Sequence, residues 1–344
     1  MSTIPTIFND SLPSYTAVGG NERRASTGLS AVILNRGERY PRHGLFEELG
    51  KTGFDYVLSM ESSFTRYDLE ALSIKFPFVR FILFKDNVTT GEEINLAASE
   101  LSSPLFFVLW NDLKILRGGG AERMAERLFT TEQERSSNCK RLCTVPLIQD
   151  GRSETMPTLI TPSFLPEDKQ KTIRTVPLIP EKEGLSSLYP FDGIGIYDRE
   201  RFIRMGGFDP SIKNFYWQLM DFGFRSSLWG EEIAATMLIK LSYEGSIPME
   251  DNTADDSYRS FFLKNIAPVF RGDYAHVPFR RFPGYFRKRG DFFSAWKEFS
   301  AARDWVKTNR YRFVTDARTA VERFVKDDTT QGVRCDRIGA ASEN

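Results

Sequence analysis

The sequence has little from which to build a metal cluster or a disulfide framework. Of its 344 residues, three are cysteine (Cys139, Cys143 and Cys335) and two are histidine (His43 and His276). An odd, unpaired cysteine set excludes a disulfide scaffold and fits a reducing compartment. So few histidines argue against a His/Cys metal centre, and any Ser-His-Asp or Cys-His scheme would need one of those two rings. Net charge is missing as well: 46 Lys plus Arg stand against 46 Asp plus Glu. This balance excludes a globally basic nucleic-acid binder but leaves room for a local basic patch. No apolar run approaches the roughly 18 residues that a spanning helix needs. Residues 1–27 have no basic start and no apolar core, so they do not read as a secretory signal. These absences point to a cytoplasmic protein.

What is present is an apolar core rich in aromatics. The hydrophobic fraction of 41% rules out wholesale disorder, and 29 Phe supply most of the aromatic residues. The length suits one large α/β domain with appendages. After a polar stretch over 1–28, read as a flexible arm, four short apolar runs alternate with helical spacing. Residues 29–34, 55–60, 79–84 and 105–110 read as strands, and 41–49, 67–76 and 91–101 read as helices. Such alternation predicts parallel pairing with right-handed crossovers, and ligands then bind beyond the carboxyl ends of the strands. Those ends carry Asn35-Arg36, Glu61, Lys85-Asp86-Asn87 and Asn111-Asp112. Past residue 142 the alternation weakens. Residues 161–185 read as a long loop, 193–197 and 234–243 as strands, and 198–205 and 216–228 as helices. The segment 283–327 reads as mainly helical.

Four ordered motifs resemble those of the family 2 glycosyltransferases, nucleotide-sugar enzymes of the GT-A fold. The first is Ser-Ala-Val-Ile-Leu-Asn over 30–35. The second is Gly91 with Asn95, leading to the apolar run 106–109. The third is Met205-Gly-Gly-Phe-Asp209. The fourth is Trp217-Gln-Leu-Met-Asp221 followed by Phe224-Arg225. Together they span roughly 29–245. The resemblance implies an α/β, GT-A-like, Rossmann-type sheet, mainly parallel and flanked by helices, over 29–280. A basic, aromatic helical extension over 281–327 and a disordered tail over 328–344 would follow.

The same resemblance implies site residues. The family's Asp-x-Asp falls on Trp110-Asn111-Asp112, so Asp112 would hold a divalent metal (Mn or Mg) against the donor diphosphate, with Glu244 as a second oxygen ligand. Asn35, Arg36, Glu61, Asn95 and Asn111 would bind the nucleotide-sugar, expected to be a UDP-sugar. The family's base position is taken by Leu219, which cannot accept a proton. Asp221, three residues after Gln218 and so its neighbour on the same helix face, either takes over as base or forms an i,i+4 ion pair with Arg225. Tyr216 and Trp217 would meet the acceptor.

Between Phe279 and Phe313 there are ten Lys/Arg, three acids and eleven aromatics. A helical cap, an anionic membrane surface and nucleic acid are the three readings of this segment. The expectation is an inverting, metal-dependent glycosyltransferase acting on a glycan or lipid-linked acceptor, as in cell envelope glycan synthesis. It would be cytoplasmic, with peripheral contact at the inner face of the membrane, and nucleic acid would not be a partner. The loss of an Asp at Trp110 and of a base at Leu219 motivates the alternative, a catalytically inactive nucleotide- or sugar-binding assembly protein. A nucleotidyltransferase is the more remote third reading.

Overall fold

The computed structural model describes residues 12–20, 24–36, 42–61, 69–134, 141–164, 173–244 and 248–329. Nine strands form one sheet in the order β1-β4-β3-β2-β5-β10-β7-β11-β6. They are β1 (Tyr15–Val18), β2 (Leu29–Leu34), β3 (Val57–Glu61), β4 (Val79–Phe84), β5 (Leu105–Trp110), β6 (Leu113–Arg117), β7 (Arg141–Gln149), β10 (Gly195–Asp198) and β11 (Glu232–Tyr243). β4, β3, β2 and β5 pair in parallel, and so do β7 and β11. β10 is antiparallel to both of its neighbours and joins the two parallel groups.

The apolar runs become strands because helices cover both faces. Every residue of β2 and of β5 is buried, as continuous rather than alternating hydrophobic runs demand. The Thr90–Glu100 helix starts at Thr89, whose side chain accepts from the Glu92 amide while the Glu92 carboxylate accepts from the Thr89 amide. The Arg199–Met205 helix is capped by Asp198 and ends at Gly206, whose φ of 82° is the left-handed turn that glycine permits. Asn214 caps the Phe215–Leu228 helix.

Two expectations change. The 161–185 stretch is not a long loop: β8 (Leu159–Phe164) and β9 (Ile173–Leu178) pair antiparallel within it. Within the expected 1–28 arm, Tyr15–Val18 adds an edge strand to β4 in antiparallel register. Residues 1–11 of that arm, and the tail from 330, lie outside the described residues.

The C-terminal extension folds as a cap with its own core. The Phe282–Arg289, Phe292–Asn309 and Ala317–Thr329 helices bury Phe282, Tyr285, Phe299 and Val306 together with Leu228 from the main domain. Trp229 and Phe262 pack against both this cluster and the main core. Among the described residues no helix is long and apolar enough to cross a membrane.

Candidate functional site

The carboxyl ends of β2, β3 and β5 meet at one polar mouth. Asn35 donates from Nδ2 to the Met60 carbonyl (2.7 Å), and Arg42 reaches Glu61 Oε1 at 2.5 Å. Glu61 also accepts from Ser59 Oγ at 2.7 Å, so this buried carboxylate is tied to its own strand and to the first helix. Asn111 clamps the neighbouring backbone: its Oδ1 accepts from the Arg36 amide and its Nδ2 donates to the Arg36 carbonyl.

Arg36 is the centre of this mouth. Its Nε and Nη2 donate to the two oxygens of Asp112 (2.9 and 3.2 Å), and its Nη1 donates to Asp192 Oδ2 at 2.5 Å. The guanidinium lies over the Trp110 ring, 4.2 Å from its centroid, and 5.4 Å from that of Tyr243. The Trp110 indole N–H donates to the Asp192 carbonyl, and the Tyr243 hydroxyl donates to Asp192 Oδ2. Asp192 is held in the left-handed region (φ 54°) within a short turn before β10. Asp followed by Gly is a pair that tolerates such a turn. Burial pushes the Asp192 carboxyl up to about 6, against the lowering effect of Arg36 and Tyr243. Burial disfavours the charged Arg36, but the charge of Asp192 and the hydrogen bond to Asp112 outweigh it and raise its affinity for the proton.

The expected metal ligands can be tested against this arrangement. Both oxygens of Asp112 are turned onto Arg36, and Asp192 faces the same guanidinium. Glu244 is exposed and meets Asp112 through its backbone, its amide donating to the Asp112 carbonyl at 2.8 Å. Among the described residues no group of three or more His, Cys, Asp or Glu gathers around one point. Both Asp112 oxygens already accept from the guanidinium, so a divalent ion could take them only by displacing Arg36. The donor set as arranged therefore does not fit a divalent metal.

Next to the mouth lies a pocket of about 270 Å³, joined to it by Asp192 and lined also by Asn214, Phe215, Tyr216, Leu219 and Glu250. Glu250 accepts from the Tyr189 hydroxyl at 3.1 Å. Tyr216 thus stands at the pocket, its hydroxyl 3.4 Å from Thr175 Oγ1. Trp217 points the other way: it is 5% exposed, stacks on Phe261 and donates from Nε1 to the Thr253 carbonyl.

Asn95 and Asp221 belong to a second, structural cluster. Asn95 exchanges two 2.8 Å hydrogen bonds with the Phe208 backbone and so pins the Gly-Gly-Phe-Asp turn. Arg225 holds the same turn through the carbonyls of Met205 and Gly207. Asp221 is 1% exposed, accepting from Arg225 on Oδ2 and from Asn265 on Oδ1. Of the two readings of Asp221, this is the geometry of the ion pair.

Asp192, Tyr243 and Glu250 are absent from the sequence reading. Asp192 arrives from a turn and Tyr243 from a strand, both beyond the legible βα units, and no short motif links either to Asp112. The Asp192-Gly193 pair signals a turn but not its position in space.

No protein-family model matches the chain, and no curated protein is significantly similar to it in sequence. Its likeness is to solved structures. A crystal structure of GalNAc-T7 with UDP, GalNAc and Mn²⁺ matches with a TM-score of 0.51 at 12% identity, over 88% of this chain and 57% of that one. A structure of TarS from S. aureus matches with a TM-score of 0.45 at 11% identity, over 69% of this chain and 40% of that one. TarS 1-349 in complex with UDP-GlcNAc matches with a TM-score of 0.43 at 10% identity, over 67% and 63%. The chain spans less than two thirds of each of these proteins. At such identities the likeness is one of fold, and the fold is that of the GT-A glycosyltransferases.

Proposed function

We propose that the protein transfers a sugar from a nucleotide-diphosphate donor to a glycan or lipid-linked acceptor. One observation carries the reading: Asn35, Arg36, Glu61, Asn111 and Asp112 converge at the strand ends of a GT-A fold, where ligands of such sheets bind. The nucleoside lies toward Glu61 and Asn35. The donor diphosphate faces Arg36, which keeps two N–H groups beyond the three given to carboxylates, and protonation of Asp192 relieves the negative charge that the two carboxylates would otherwise set against it.

The acceptor enters the pocket beside Asp192, with Tyr216 as the aromatic wall. Asp192, Glu250 and Asp251 line this pocket; Asp192 is taken by Arg36 and Asp251 accepts from the Thr253 amide, so Glu250 replaces the buried Asp221 as the base of an inverting transfer. The acceptor hydroxyl gives its proton to Glu250 as its oxygen bonds the anomeric carbon. The bond from that carbon to the diphosphate breaks, and the nucleoside diphosphate leaves with the electron pair.

A second reading keeps the pocket without the chemistry. Leu219 lines the pocket where the resembling family has its base, which favours an inactive sugar- or nucleotide-binding relative. Nucleotide release from a panel of UDP- and GDP-sugars, with envelope lipid and glycan extracts as acceptors, separates the two. The expected outcome is acceptor-dependent UDP release that falls about 100-fold or more in Glu250→Gln with KM nearly unchanged. Absence of release from every donor would leave only the binding reading.

A further inference from the structure

The cap carries a patch of aromatic rings on the outside of its own core. Phe293 is 83% exposed, Phe279 and Phe292 are each 50% exposed, and Trp296 is 46% exposed. They form one continuous surface: Phe292 contacts Phe293 (ring centroids 5.9 Å apart), Phe286 (5.6 Å) and Trp296 (6.4 Å), and Trp296 meets Phe279 at 5.9 Å. Beneath them Phe282, Ala295 and Phe299 are buried and complete the cap core. The rings pack on that core from outside and still leave apolar faces to solvent, and an apolar patch of this kind marks a contact surface.

Charge selects the partner. The sequence from Phe279 to Arg303 holds seven Lys/Arg against two acids. Seven against two leaves an excess of five positive charges, and both acids have local partners. Glu298 is engaged by Arg289 and by the Tyr285 hydroxyl, and Asp291 caps the helix through the Ser294 amide. Arg303 lies 5.7 Å over the Phe279 ring, and Arg280 and Lys297 are exposed beside the patch. We propose that this face docks on an anionic lipid surface, with Phe292, Phe293 and Trp296 entering the interfacial layer and the basic residues meeting the headgroups. A second copy of the chain would set one strongly basic face against another. Nucleic acid is served by separate open ring faces, whereas Phe282, Phe286 and Phe293 all pack edge-on against Phe292. The proposal stands apart from the transfer chemistry and does not require it.

Vesicle co-sedimentation of the full chain tests it, with phosphatidylcholine vesicles that contain or lack phosphatidylglycerol. Pelleting is expected only with the anionic lipid and is expected to weaken as salt is raised. Phe293→Asp with Trp296→Asp should reduce it roughly tenfold or more, and Arg280→Glu with Lys297→Glu should do the same through exposed charges alone. Failure to pellet on anionic vesicles overturns the proposal, as does pelleting of both double variants to the wild-type extent. So does pelleting on neutral vesicles to the same extent. A gel shift with single-stranded DNA, or a dimer seen by light scattering, that the same variants abolish while vesicles remain unbound would assign the face to that partner instead.

Discussion

Two buried carboxylates share one guanidinium at the mouth of the sheet, so Arg36 leaves Asp112 and Asp192 one negative charge in excess until a proton is added. Asp192 is the group that yields, since burial lifts it to about 6, and below that pH the trio is balanced. A different acid shows the opposite sign. Burial alone would raise Asp209, but the Lys264 ammonium and Ser211 override it and hold the carboxyl at about 2. A folded-state value below the unfolded one contributes stability that is complete above about pH 4 and lost as pH falls through 2. Asp209→Asn should therefore cost about 2 kcal/mol at pH 7 in urea denaturation, and the gap to wild type should close near pH 2. A gap that does not change with pH would mean that the Lys264 pair contributes nothing. At this scale the sequence was informative where chemistry follows a strand end. Asn35-Arg36 and Asn111-Asp112 each sit just past an apolar run, and the i,i+4 spacing of Asp221 and Arg225 already contained their ion pair. Asp192 was not legible, because its place beside Arg36 depends on the insertion of β10 between β5 and β7.

The elements divide along the same physical line. β2, β4 and β5 match the apolar runs residue for residue, since a strand buried on both faces has no other pattern to show. β8 and β9 were hidden by their prolines. Pro162 and Pro177 lack an N–H for a ladder and argue against a central strand, and the two strands in fact pair only with each other. Helix packing explains residues that propensity alone would reject. Gly223 sits in the Phe215–Leu228 helix, where glycine is unfavourable, because a Cβ there would stand 2.4 Å from the Leu188 carbonyl oxygen. Gly223→Ala should thus lower stability by about 1–3 kcal/mol instead of raising it as at an open helix site. A thermal melt showing a gain would mean that the helix and the strand-side backbone are not in close approach.

At the scale of the whole molecule, the zero net charge is a sum of unlike parts. The cap is basic, and the GT-A body must be correspondingly acidic, which places the docking face and the donor mouth on separate units joined through Trp229 and Phe262. The account rests on Arg36 as the cation that meets the donor diphosphate in that mouth. Calorimetric titration with UDP, in EDTA and in Mn²⁺, tests this most directly when wild type is set beside Arg36→Ala, with the fold of both checked by circular dichroism. The account predicts binding in EDTA and a loss of at least about tenfold in the variant. Binding that requires Mn²⁺ and is indifferent to Arg36→Ala, or no binding in either buffer, would contradict it.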